Sequence, residues 1–343
     1  MGRGRKPVQG RKILPMARGC RSPVRDLRLP DVHDTDRKAL VAYATVAIVW
    51  GSTYLAIRLG VERLPPMLFA GARHLVAGLL LGGIVIWRRF PWPTSVREAV
   101  ILASGGLFFM TLSNGSVVWA EQFVPSGTAS VYIVMVVIWT ALADAFIPGG
   151  HSHITPRIVA GLLLGFAGTV LLVGRSLSTL LAADLRGPLA LTLATMSWAV
   201  GSVLMKRHRT GASPFTVAAM QMVTGGAALV LIGLVRGELP RFHLDATSAW
   251  ALVYLIVAGS VIGFGAYVYA LRHMSPTALG TYAYVNPVVA VLCGWLLGNE
   301  HVASRELVAM ALMLVAAALI QFGDRLAWIH PAMAPRREAV SPE

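Results

Sequence analysis

The residues able to do chemistry in this chain are few, and they sit inside apolar stretches. Tyr282, Asn286 and Pro287 interrupt one such run. Pro287 lies eleven residues into it, about 16 Å deep at ~1.5 Å per helical residue. A proline there has no N–H to donate and frees the carbonyl of Ala283. Tyr282 and Asn286, four apart, share the helical face beside it. Asn114 lies at a similar depth from Pro125 and, with Ser113 and Ser116, makes its run unusually polar. Trp50, Trp119, Trp198, Tyr267 and Tyr269 supply aromatic surface. Such groups bind by hydrogen bonding and ring contact; none is a nucleophile beside a base. H-E-x-x-H, G-x-S-x-G and P-loop patterns are missing from the sequence, and His151 and His153 stand in a loop without a third ligand. The chemistry expected is recognition of a small molecule, with no catalytic residue, metal or cofactor.

One charged pair belongs to the same set. Arg73 is seven residues past Pro66, about 10 Å deep, and Glu121 is four residues short of Pro125, about 6 Å deep. Buried intramembrane charges nearly always find a partner, so the two are expected to form an ion pair or an outer gate. The alternative is that Arg73 snorkels outward and Glu121 meets headgroup water.

The elements that position these residues are long apolar runs. Hydrophobic residues make up 56% of the 343 and charged residues 13%, against about 25% charged in a soluble domain. Glu121 and Asp144 are the carboxylates that fall within an apolar run or at its edge. The expected fold is an all-α membrane protein of ten transmembrane helices, at about 39–59, 67–87, 98–121, 126–147, 156–174, 187–206, 214–235, 249–271, 277–298 and 305–325. Each is near the ~20 residues that span a bilayer core. A membrane β-barrel would show alternating segments of roughly ten residues instead. Residues 1–38 are basic and punctuated by Pro and Gly, and read as a disordered cytoplasmic tail; 326–343 form a cytoplasmic C-terminal tail. The paired glycines Gly78/Gly82 and Gly161/Gly165 read as helix packing.

The runs come in two copies. Trp50-Gly51-Ser52-Thr53-Tyr54-Leu55-Ala56-Ile57-Arg58 returns 148 positions later as Trp198-Ala199-Val200-Gly201-Ser202-Val203-Leu204-Met205-Lys206. Pro66 then maps to Pro214, Gly78 to Gly226 and Arg73 to Gln221, so residues 39–174 and 187–325 are two repeats. Eleven of the 30 Lys and Arg precede Ala39. With that end inside, 22 basic residues fall on the cytoplasmic side and 7 outside, which places both termini in the cytoplasm of a multi-pass cell-membrane protein. The net charge of +14 is thereby accounted for without nucleic acid. Five spans per repeat turn the second repeat upside down, an arrangement that puts a binding site near the midplane.

Trp50-Gly51-Ser52-Thr53-Tyr54, Val124-Pro125-Ser126-Gly127, Tyr282-Ala283-Tyr284-Val285-Asn286-Pro287-Val288-Val289-Ala290 and Gly298-Asn299-Glu300 resemble the EamA family of the drug/metabolite transporter superfamily. The resemblance covers about 39–325. It implies a ten-helix 5+5 inner-membrane transporter that exports or exchanges small organic solutes, amino-acid-like or amphipathic, by alternating access. The first copy reads Ile133-Val134-Met135-Val136-Val137-Ile138-Trp139 where many relatives, and the second copy at Pro287, carry a proline, which singles out the ninth span. Trp50-Gly51-Ser52 stands where small proton-coupled relatives carry a carboxylate, so the energy source stays open between exchange, facilitated efflux and proton antiport. The candidate substrate-binding set is Trp50, Ser52, Asn114, Trp119, Trp198, Tyr267, Tyr282, Tyr284, Asn286 and Pro287. Expected partners are a small-molecule substrate and membrane lipids, with a homodimer left open. The alternatives are a lipid-carrier flippase, favoured by a laterally open groove, and a membrane enzyme or scaffold.

Overall fold

The computed structural model describes residues 1–2, 32–124, 126–147, 155–173, 185–208, 210–298 and 304–327. Most of the basic N-terminal stretch, Pro125, the Pro148-Gly149-Gly150 turn, His151, His153, Asn299, Glu300 and the residues after Ala327 lie outside them. The described residues fold into helices: α1 Val32–Val61, α2 Pro66–Trp87, α3 Val96–Ala120, α4 Ser126–Phe146, α5 Pro156–Val173, α6 Arg186–Arg207, α7 Pro214–Val235, α8 Ala246–His273, α9 in two pieces (Pro276–Gly280 and Tyr282–Gly298), and α10 Ser304–Ala327. Among the described residues there is no strand. Among the described residues, 6 helices are long and apolar enough to cross a membrane (α1, its span counted from Arg37, with α2, α3, α6, α7 and α8), and Tyr132–Phe146, Pro156–Gly168 and Leu307–Ile320 are shorter apolar stretches.

Local chemistry sets the starts of these helices. Proline opens α2, α7 and α9, where its missing N–H would have had no partner and its fixed φ already suits the helix. Ser213 and Ser275 accept from the backbone N–H of Thr216 and Ala278, at 3.0 and 3.1 Å. Asp245 caps α8 through Ser248 N at 2.8 Å, with the Ser248 hydroxyl reaching back to Asp245 N at 3.0 Å. Each such cap is worth about 1 kcal/mol.

The repeat read from the sequence is present in the packing. A Cβ on Gly78 would stand 2.7 Å from the backbone N of Val223, and one on Gly226 would stand 2.5 Å from the backbone N of Leu75. Gly78 and Gly226 are repeat equivalents, and so are Leu75 and Val223. The α2–α7 crossing is therefore self-complementary, as across a two-fold axis. Two backbones this close tolerate no side chain at either glycine.

A second repeated feature is not visible in the sequence pattern. In α3, Leu107–Asn114 is π-helical, and in α8 so is Leu255–Phe264; the two stretches begin one repeat length apart. In the first, Gly115 N–H reaches back to Met110 O rather than to the carbonyl four residues earlier. Wider turns leave carbonyls turned aside for other helices. Phe108 O accepts from Ser197 Oγ at 2.8 Å, and Gly259 O from Trp50 Nε1 at 2.9 Å.

Two expectations need adjusting. The ninth span breaks at Thr281, ahead of Pro287, which lies inside the longer piece. Thr281 turns its hydroxyl onto Ala278 O at 2.7 Å and meets Tyr43 Oη at 2.9 Å. Of the paired glycines, Gly161 packs on Ile320 and Gly165 on Tyr284, but Gly82 faces open space.

Candidate functional site

A cavity lies between the two repeats. It is lined from α1, α2, α3, α4, α6, α8 and α9 and holds about 660 Å³ of space free of protein atoms, its open mouth included.

Aromatic rings make its floor. Trp50 of α1 meets Trp198 of α6 edge-on at 5.2 Å and Tyr282 of α9 edge-on at 5.1 Å, and it stacks on Tyr267 of α8 at 5.4 Å. Phe109 of α3 closes against Trp198 at 4.8 Å. Edge-on and stacked pairs contribute about 0.5–1.5 kcal/mol each beyond the area they bury. Trp50 and Trp198 are the same position in the two repeats, so the repeats meet at the floor through equivalent rings. The Trp50 Nε1 bond to Gly259 O fixes the central ring.

Beyond the floor, on the side away from the cavity, polar ties join the helices. Tyr267 Oη hydrogen-bonds the Ser202 hydroxyl, and Tyr43 bonds Thr281. Lys206 Nζ donates to Arg272 O at 2.9 Å, and Arg272 Nη2 to Ala212 O at 2.7 Å. In the other direction the cavity runs past Thr53, Tyr54 and Ile57 toward the ends of α1 and α3. There Arg58 Nη1 donates to Glu121 O at 2.9 Å, and Arg58 Nε pairs with Glu62 at 2.6 Å. Arg63 pairs with Asp245.

The candidate residues divide. Trp50, Arg73, Asn114, Trp198, Tyr282 and Asn286 line the cavity. Tyr267 lies beneath the floor rings. Ser52 is elsewhere: its hydroxyl donates to Val49 O at 2.7 Å and pairs with Tyr254 Oη at 2.6 Å. Trp119 packs on Phe123 at 4.9 Å. Tyr284 is buried against Gly165 of α5, where a glycine leaves room for the ring. Pro287 is buried in α9 and is not among the lining residues.

Asn286 both lines the cavity and holds the helix that carries it. With its amide nitrogen turned toward the two carbonyls, it donates to Tyr282 O at 3.2 Å and Ala47 O at 3.0 Å. It thus ties α9 to α1.

Arg73 and Glu121 are both buried, at 5% and 0% exposure. They lie close enough for each charge to bear on the other, but no hydrogen bond or ion-pair contact joins them. Arg73 Nε donates instead to Ser260 Oγ at 2.9 Å. Arg58 holds the Glu121 carbonyl, and both carboxylate oxygens of Glu121 lack a hydrogen-bond partner. The expected direct pair is not formed.

Several lining residues were not singled out from the sequence, among them Thr53, Tyr54, His74, Met110, Thr195 and Ser260. Thr53, Tyr54 and Ile57 follow Trp50 at three, four and seven positions, so helical spacing alone places them on its face. Ser260 carries no such signal, because its position depends on the π-helical stretch.

The comparisons with known proteins agree with this architecture. The EamA-like transporter family model matches residues 37–174 and 185–322. The "Uncharacterized inner membrane transporter YedA" of Escherichia coli K12 is 35% identical over 298 residues, covering 86% of this chain and 94% of that protein. The "Probable amino-acid metabolite efflux pump" of the same organism is 24% identical, over 84% of this chain and 96% of that one. A solved crystal structure 23% identical to this chain superposes with a TM-score of 0.67, over 84% of this chain and 98% of its own; it shows likeness of fold. With a match to both halves and a relative at this identity, the chain belongs to the EamA-like transporter family.

Proposed function

We propose that the protein is a secondary transporter of the cell membrane that exports small organic solutes by alternating access, with no covalent step. In this reading all ten helices cross the membrane, both termini are cytoplasmic, and the second repeat is inverted relative to the first. The observation that supports it most directly is the cavity between the repeats, closed on one side by Trp50 and Trp198, the same position of each repeat. The end of the bundle carrying Arg58 and Glu121 is then the outer one. Exchanging the two states means separating the helices at one end of the α2–α7 crossing and joining them at the other. A self-complementary contact suits this, because it reads the same from both sides.

Binding would use the floor rings for the apolar part of a solute, and Asn286, Tyr54, Asn114 and Thr53 for its polar groups. The names of the relatives are compatible with export of metabolites, and the efflux-pump relative makes amino-acid-like solutes the first to test. The experiment is untargeted metabolite profiling of cells with and without the protein, then flux of the accumulating compounds in proteoliposomes. Export predicts compounds depleted inside expressing cells that the purified protein moves across liposomes. Profiles that do not change, with no flux of the candidate compounds, contradict it.

A further inference from the structure

One lining side chain is held by the fold on one edge only. Arg73 and His74 are 5% and 2% exposed and both line the cavity, and Nη1 of Arg73 has no hydrogen-bond partner, while His74 lies beside Asn114. Buried polar groups in folded proteins are almost always paired, and a charged group left unpaired is the costliest exception. Arg73 is held in place from one side, by Ser260 at its Nε. Its Nη2 lies against Gly259, where a Cβ would come within 2.9 Å of it, so the backbone of α8 makes room for the guanidinium. Arg58, Arg63 and Arg236 at the same end are engaged with Glu62, Asp245 and Glu238. Among the described residues, none that lines the cavity is an Asp or Glu.

We infer that the cavity takes an organic anion, a carboxylate on an apolar or aromatic body, with Arg73 reading the charge and His74 beside it. This rests on the transporter reading above and adds the substrate class. A carboxylate offers two oxygens to a guanidinium's parallel donors, and such charge-assisted bonds are roughly twice as strong as neutral ones. The body of the molecule would lie toward Trp50, Trp198 and Tyr282. The same cation disfavours cationic solutes, because no lining carboxylate offsets it.

The test uses the full-length protein in lipid nanodiscs and three probes of one shape: 3-phenylpropionate, 3-phenylpropanamide and the cation 3-phenylpropylammonium, titrated by calorimetry near pH 7. The inference expects the carboxylate to bind tighter than the amide by about tenfold or more, the gain of one charged hydrogen bond, and the cation weakest. Arg73→Gln should bring carboxylate and amide together, Arg73→Lys should keep part of the preference, and Glu121→Gln should leave it standing. If the amide binds the wild-type protein as well as the carboxylate, if none of the three binds, or if Glu121→Gln rather than Arg73→Gln removes the preference, the inference is overturned. The wild-type comparison needs no variant to fold. Flux of neutral solutes with no charge preference would leave the transporter reading intact and sink this one; charge-selective binding without flux of any solute would do the reverse.

Discussion

Replacing Gly263 with alanine tests whether the aromatic floor is as tightly built as its distances indicate. The new Cβ would lie 2.4 Å from Trp50 Nε1 and 2.9 Å from its Cδ1, where ordinary contacts are 3.4–4 Å. The Trp50 ring must then move by about 1 Å, yet Trp198, Tyr282 and Tyr267 pack against it from the other sides. Overpacking of this kind costs about 1–3 kcal/mol. Breaking the Trp50 bond to Gly259 O adds about 0.5–1.5 kcal/mol, and replacing a helical glycine returns about 0.5–1 kcal/mol. The net expectation is a loss of roughly 0.5–4 kcal/mol, with a changed flux because the closing surface itself is displaced. Gly265→Ala is the control: nothing lies within 4 Å of its Cβ, so it should be neutral or slightly stabilising. Both variants would be compared by unfolding of the purified protein and by flux in proteoliposomes. Equal stability and equal flux for Gly263→Ala and Gly265→Ala would refute the reasoning.

Asn286→Ala removes the ties to Tyr282 O and Ala47 O as well as a polar group of the cavity, and flux per folded molecule is expected to fall more than folded yield; the opposite pattern would make Asn286 a packing residue only. Tyr284→Phe should leave flux unchanged, since the ring packs on Gly165 and its hydroxyl reaches Leu162 O only at 3.5 Å; a loss of flux would return Tyr284 to the site. Charge exchange between Arg73 and Glu121 should not restore either single swap, because the two are not in contact; recovery of flux in the double variant would establish the direct pair. Reporter fusions after residue 325 should read as cytoplasmic and those within 236–248 as external, and an external C-terminus would overturn the ten-crossing reading.

The sequence carried the large-scale order because repeats and apolar runs are written in single residues. Trp50 and Trp198, Pro66 and Pro214, and Gly78 and Gly226 stand one repeat apart, and the packing uses each pair in equivalent roles. The parts that were not legible depend on backbone geometry that side-chain type does not encode. The π-helical stretch of α8 turns Gly259 O toward Trp50 and places Ser260 at Arg73, and that of α3 turns Phe108 O toward Ser197; residue types along the runs give no sign of either. Depth along a helix put Arg73 and Glu121 at one end of the bundle, but depth says nothing of the angle around the helix. Angle is what sends Arg73 to Ser260, and what turns Ser52 and Tyr284 away from the cavity while Thr53 and Asn286 face it. Periodicity counted from Trp50 recovers part of that information, in Thr53, Tyr54 and Ile57.

The central claim, that one cavity serves both faces of the membrane, is tested most directly by thiol labelling at Ser113, a buried cavity-lining residue. In a Ser113→Cys protein with Cys20 and Cys293 replaced, a membrane-impermeant maleimide would be applied from one side only, to right-side-out and to inverted vesicles. Alternating access predicts labelling from both sides, with a transported solute shifting the balance between them. Labelling from one side alone, unchanged by any solute, would contradict it.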